Sequence, residues 1–262
     1  MKVLILGAGE HASGTAHRLF RSGFDVAMTE VQEPLAVRRA VAFCSAVWDG
    51  ETVVEGVRGR RWTLGQPLPT PLDHVAVFVD PEARLIDTWH PDVVVDARLL
   101  KVPGATSVAQ APLVISLGPG AVCGREAHVV IETNRGHDLG RVIEEGSAAP
   151  NTGVPGAIAG YAAERVVRSP VAGPVRGVKG IGDAVSEGEV VALVGGEPVR
   201  TRIAGVLRGI LHDGVEAEAD LKLADVDPRG EARACFTLSD KTRTISGGVL
   251  EAILSRTRVE GR

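Results

Sequence analysis

Lys2-Val-Leu-Ile-Leu6 runs directly into Gly7-Ala8-Gly9-Glu10-His11-Ala12-Ser13-Gly14, and this opening decides the fold. The first five residues read as a short buried strand. The stretch from Thr15 to Ser22 reads as a helix with Ala16, Leu19 and Phe20 on one face, and Phe24–Thr29 as a second strand closed by Glu30. Gly7, Gly9 and Ala12 have the spacing G-x-G-x-x-A between strand and helix, the dinucleotide fingerprint in its proper context. Gly7 allows the tight turn, Gly9 lets backbone approach a pyrophosphate, and Ala12 lets helix and strand pack closely. Ser13 and Gly14 complete the run and are counted with the binding residues. Amides at the helix start would face the phosphates. Glu30 stands 21 residues after Gly9, where an acid accepts a ribose hydroxyl. The alternative is a turn whose glycines serve only the backbone.

Further strands extend the same sheet. Val75–Val79, Asp92–Asp96, Pro112–Leu117 and His128–Glu132 are short, continuous apolar runs ending at Asp, Gly or Glu. That texture predicts a mostly parallel sheet buried on both faces. Pro34 is expected to open a second helix from Leu35 to about Ser45. Glu51–Glu55 and Arg61–Thr63 read as a hairpin. Ligands in such sheets gather at the carboxyl ends of strands. Those ends are Gly7–Gly9, Glu30, Asp80, Asp96, Gly118–Gly120 and Glu132.

The texture changes near Arg168. Ser169-Pro-Val-Ala-Gly-Pro-Val175 resembles Thr201-Arg-Ile-Ala-Gly-Val-Leu207, 32 residues on. Two such quasi-repeats with glycine turns suggest a small closed β unit. The pattern resembles biotinyl and lipoyl domains, which form a barrel-sandwich hybrid and carry their cofactor on a hairpin lysine. The matching hairpin, Gly195-Gly-Glu-Pro-Val-Arg200, holds no lysine, so no covalent biotin or lipoate is expected. The predicted class is therefore α/β: a Rossmann-like domain over 1–167, a barrel-sandwich-hybrid-like β domain over 168–230, and a strand and helix over 231–262 packing back on the first domain. In that last segment Cys235–Asp240 reads as strand and turn. The helix is expected over Val249–Arg256, with Gly247-Gly248 at its start.

Glu132-Thr-Asn-Arg-Gly-His-Asp-Leu-Gly-Arg141 is the densest polar run beside the buried strands, and Asn151-Thr-Gly-Val-Pro-Gly156 follows it. Arginine forks bind phosphate or carboxylate, and glycines expose amides for the same purpose. Glu132, Arg135 and Arg141 are thus binding candidates together with Gly118 and Gly120. The competing reading is a solvated loop with local salt bridges. His137 is a weak candidate for a general acid or base. Cys123 reads as a small buried cysteine, with a reactive thiol as the alternative. No histidine spacing suits a metal, and neither G-x-S-x-G nor a P-loop occurs.

Composition narrows the classes. The chain has 262 residues, 44% hydrophobic and 24% charged, with one Tyr, three Trp and five Phe. So few aromatics cannot build stacking platforms for single-stranded nucleic acid. A net charge of −4 gives no basic footprint for nucleic acid or acidic lipid. Three scattered cysteines suit a reducing cytoplasm. The opening apolar run is too short for a signal peptide, and no run is long enough to span a membrane.

Several separated motifs carry a resemblance. Gly7-Ala-Gly9, Ser13-Gly14, Ala16–Leu19, Thr29-Glu30 and Pro34–Arg39 form the first. Ala111–Ile115, Leu117–Gly120, Val130–Thr133, Arg135–His137 and Leu139–Arg141 form the second. Ser239-Asp-Lys241 and Gly247–Ala252 form the third. Together they resemble the selenium-dependent molybdenum hydroxylase system proteins of YqeB type, nearly end to end. The chain departs from that pattern at Glu10-His11, Ala121 and Cys123-Gly124. The resemblance implies a cytoplasmic accessory protein for maturing molybdenum hydroxylases, with the hydroxylase or its maturation machinery as partner. The ligand would be a small dinucleotide, either NAD or molybdopterin cytosine dinucleotide, and neither nucleic acid nor membrane is expected as a partner. Two other functions stay open: an NAD-dependent oxidoreductase, and a docking module with a vestigial Rossmann unit.

Overall fold

The computed structural model describes residues 1–104, 106–151, 153 and 158–257. The chain divides into two compact units. The first takes 1–34, 42–152 and 238–262, and the second takes 35–41 and 153–237. Among the described residues no helix is long and apolar enough to cross a membrane. Of the run 151–156, Thr152 and 154–156 lie outside the described residues.

The first unit opens with β1 (Lys2–Leu6), α1 (Glu10–Arg21) and β2 (Asp25–Glu30), as the opening predicts. It continues through α2 (Ser45–Asp49), β3 (Glu51–Val54), β4 (Val57–Trp62), β5 (Val75–Val79), α3 (Leu85–Trp89), β6 (Val93–Asp96), β7 (Leu113–Leu117), β8 (Val129–Ile131) and β9 (Val142–Ile143). Among the described residues these strands form a nine-stranded sheet in the order β3-β4-β5-β2-β1-β6-β7-β8-β9. Every pairing from β4 to β8 is parallel, and the edge strands β3 and β9 pair antiparallel. Strand order reverses between β1 and β6, which makes that junction the switch point of a doubly wound sheet. One core cluster is built from aliphatic strand residues, Leu4, Leu6, Val94, Val114 and Val130, with Phe78, Leu85 and Trp89. The expected hairpin forms, but its second strand starts at Val57 rather than Arg61: β3 and β4 turn at Glu55-Gly56, both at positive φ (43° and 83°), the backbone of a two-residue hairpin.

The second unit holds β10 (Val166–Arg168), β11 (Gly173–Gly177), β12 (Ala184–Val185), β13 (Val190–Val194), β14 (Glu197–Arg200), β15 (Gly205–Ile210), β16 (Glu216–Ala217) and β17 (Lys222–Asp227). They form two four-stranded antiparallel sheets, β10-β17-β15-β12 and β14-β13-β11-β16. The quasi-repeat is visible strand by strand: β15, β16 and β17 each begin 32 residues after β11, β12 and β13. The copies exchange their middle strands, since β12 pairs with β15 and β16 with β11. Neither copy could close a sheet alone.

The helix expected over Leu35–Ser45 does not form. Only Arg39–Val41 makes a 3₁₀ turn, and α2 starts at Ser45. Tertiary contacts override the local pattern. Residues 35–41 lie against β15, where a Cβ on Gly209 would come within 2.5 Å of the Val37 carbonyl oxygen. Arg38 is buried and donates to the carbonyls of Ala234 and Thr237, while Arg39 donates to that of Ile210.

The last helix, α4 (Asp240–Thr257), belongs to the first unit and is longer than predicted. Ser239 caps it, its hydroxyl accepting the Thr242 amide. Gly247-Gly248 therefore sit inside the helix, and the strand expected from Cys235 does not form: Ala232–Cys235 is a 3₁₀ turn and, among the described residues, no strand follows before α4. Packing explains the second glycine: a Cβ on Gly248 would lie 2.2 Å from the Gly140 carbonyl oxygen. α4 also packs along α1, and a Cβ on Gly14 would lie 2.0 Å from the Thr242 methyl.

Candidate ligand site at the carboxyl edge of the parallel sheet

β1 and β8 are members of one parallel set, so the glycine turn after β1 and the polar run after β8 open on the same edge of the sheet. They are three strands apart in the order β1-β6-β7-β8, roughly 14 Å at ordinary strand spacing. Gly7 has φ +90° and donates to the Thr29 carbonyl, fixing the turn to the end of β2. Gly9 is the N-cap of α1, and a Cβ there would meet no atom within 4 Å. The first helical bond runs from Ser13 to the Gly9 carbonyl, so the amides of Glu10, His11 and Ala12 precede the helical ladder.

Several predicted binding residues have structural employment. The Ser13 hydroxyl is buried, donates to the Ala8 carbonyl and accepts the Phe43 amide. Ala12 and Gly14 are buried against their neighbours, Gly14 beneath Thr242. Glu30 does not simply await a ribose. Its carboxylate accepts the Ala8 amide at 2.8 Å and the Val31 amide at 2.9 Å. Burial pushes the Glu30 carboxyl up, and the two amides only partly offset that. Gly118 and Gly120 adopt positive φ and permit close approaches: a Cβ would lie 2.5 Å from the Thr133 hydroxyl and 2.3 Å from the Leu100 carbonyl oxygen, respectively.

The polar run is pinned in the same way. Glu132 is buried and accepts the amides of Asn134 and Ala149, both at 2.7 Å. Arg135 forks onto Asp240 at the start of α4, at 2.9 and 3.1 Å. Arg141 pairs with Asp138 at 3.0 Å. His137 is exposed at the tip of the run. Cys123 donates to the Ile143 carbonyl, and burial pushes its thiol up, away from nucleophilic use. Among the described residues no group of three or more His, Cys, Asp or Glu is placed to hold a metal.

The structure adds residues that the sequence did not single out for the site. Arg98, just after β6, forks onto Asp96 at 2.9 and 2.8 Å, and its stem lies beside Gly7. The first turn of α4 meets the first turn of α1: Thr242 bonds His11 Nδ1 at 2.9 Å and also reaches Glu10 at 3.4 Å. The serine cap and following acid, Ser239-Asp240, are a helix-start signal that would have brought Lys241 and Thr242 into consideration. A groove of about 650 Å³ elsewhere in this unit lies by the amino ends of β6 and β7, lined by Ile86, His90, Gln110 and Pro112 among others, and none of the predicted residues borders it.

The chain is similar to YqeB of Escherichia coli (strain K12). That relative is named an uncharacterized protein; the two are 46% identical over 254 residues, covering 96% of this chain and 47% of the relative. The chain thus spans about half the length of the curated relative it matches. No protein-family model matches it. Among solved structures, it overlaps a product-bound ectoine utilization protein EutE (DoeB) from Ruegeria pomeroyi at 13% identity, with 86% of this chain, 84% of that one and a TM-score of 0.28. A succinylglutamate desuccinylase/aspartoacylase from Rhodobacter sphaeroides overlaps at 14% identity, with 87% of this chain, 85% of that one and a TM-score of 0.27. Overlaps that loose carry no argument about this chain.

Proposed function

We propose that the chain binds a pyrophosphate-bearing dinucleotide at the Gly7–Gly9 turn and serves as an accessory protein in the maturation of a molybdenum hydroxylase. The observation that carries the binding half is Gly9. It caps α1 at the switch point of a doubly wound sheet, with open space where a side chain would stand. The amides that open α1 suit phosphate oxygens, and Glu30 at the end of β2 braces the turn through Ala8. Molybdopterin cytosine dinucleotide and NAD both offer the required pyrophosphate. The maturation half rests on the three motifs shared with the selenium-dependent molybdenum hydroxylase system proteins and on the likeness to YqeB. In the same reading the first unit is Rossmann-like and the protein works in the cytoplasm. The strand exchange in the second unit supports a barrel-sandwich hybrid, acting as a docking surface for the hydroxylase or its maturation machinery.

Calorimetric titration of the whole chain with NAD, NADP, CDP, CTP and the molybdenum cofactor tests the binding half. At least one should bind and raise the melting temperature. If all leave it unchanged, the second reading gains: a docking module with a vestigial turn. That reading is favoured by the internal use of Ser13, Glu30, Glu132 and Arg135.

A further inference from the structure

Lys241 stands on the first turn of α4, half-buried, and among the described residues its ammonium has no ion pair or hydrogen bond. The charged groups facing it come from three elements: Glu10 on α1, Glu132 and Arg135 after β8, and Asp240 on its own helix. All three acids already have partners: Glu10 accepts the Thr242 hydroxyl at 3.4 Å. Glu132 accepts two backbone amides, and Asp240 is held by the Arg135 fork. The ammonium is therefore left near acids that do not engage it directly. Burial, then Arg135, push the Lys241 ammonium down, and the acids do not restore it. Position supplies the rest. The bond from His11 to Thr242 fixes the residue after Lys241 against the residues that follow Gly9. A half-buried lysine on a helix turn bonded to the start of α1 is a compact charge with three donors, suited to a phosphate oxygen.

We infer that Lys241 is a ligand-binding residue of the glycine-turn site and supplies its cation to the pyrophosphate. This rests on the dinucleotide reading above and adds a side chain, from the far end of the sequence, to a site otherwise made of backbone amides.

Three forms of the whole chain test it, Lys241→Met, Lys241→Arg and Gly9→Val, each titrated beside the parent with CDP, NAD and inorganic pyrophosphate. Lys241→Met should weaken the probes that bind by about tenfold or more, while melting at the parent temperature. Lys241→Arg should restore most of the loss. In the parent itself, acetic anhydride should label Lys241, and a saturating probe should protect it. This readout does not depend on any variant folding. Free pyrophosphate protecting as well as CDP or NAD assigns the contact to the phosphates; protection by the nucleotides alone overturns the pyrophosphate assignment. If Gly9→Val abolishes binding while Lys241→Met binds as the parent does, the lysine is overturned and the turn stands. If the parent binds none of these probes and neither NADP, CTP nor the molybdenum cofactor, the dinucleotide reading itself falls, and this inference falls with it.

Discussion

Gly9 and Glu55 show how much one position can decide. Valine at Gly9 would project into space that no protein atom fills. Gly9→Val should therefore leave the melting temperature close to the parent's and abolish dinucleotide affinity; undiminished affinity by calorimetry would reduce the turn to scaffolding. Glu55 sits in the β3–β4 turn and ties it to α4, accepting the Leu238 amide and, with both carboxylate oxygens, the Arg243 Nη2. Burial pushes its carboxyl up, but that amide and the guanidinium outweigh burial and leave it below its ordinary range. A carboxyl held low in the folded state stabilises above its unfolded pKa, about 4.3, and loses that contribution as pH falls through the lower folded value. Glu55→Gln should lower the melting temperature at pH 7 and flatten its fall between about pH 5 and pH 3. An equally steep acid limb would show the pair contributes nothing. At this scale the sequence was readable where the chemistry is local. Gly7 needs positive φ for a turn made by its immediate neighbours. Arg135 looked available because its partner, Asp240, lies 105 residues away.

Helices and strands divide the same way. The strands of the parallel sheet were legible because each is a continuous aliphatic run stopped by Asp, Glu or Gly. The helix over 35–45 was misread because that segment takes its conformation from β15, which no local period encodes. α4 was read too short because paired glycines look like a helix start. The pair makes a sharp test. Gly247 is inside the helix with no atom within 4 Å of a Cβ, whereas Gly248 abuts the Gly140 carbonyl. Gly247→Ala should stabilise the chain by roughly 0.5–1 kcal/mol. Gly248→Ala should destabilise it by about 1–3 kcal/mol, as overpacking does. Thermal melts that move both variants in the same direction would contradict the assigned packing.

The two units differ in what the sequence could say of them. The repeat period announced the β unit, but which copy pairs with which is set by the exchange of β12 and β16, and nothing in either copy alone dictates that. The β13–β14 hairpin turns at Gly195-Gly196 and carries no lysine. Protein purified from its native host should therefore show the unmodified intact mass; a biotinyl or lipoyl increment would overturn the expectation that this unit carries no covalent cofactor. A fragment of residues 153–237 lacks the 35–41 segment that Arg38 and Arg39 anchor. By amide exchange it should remain unprotected alone and gain protection when a peptide of residues 35–41 is supplied in excess. The same interleaving bears on biosynthesis. Arg39 leaves the ribosome well before the carbonyl it bonds, which belongs to Ile210, 171 residues later. The first unit likewise waits for α4, which follows all its other elements in the chain. Neither unit can finish before its late element has been made, so until then the growing polypeptide must stay incompletely folded, with apolar strands uncovered, and its yield in the cell should depend on how well it is held soluble in that interval.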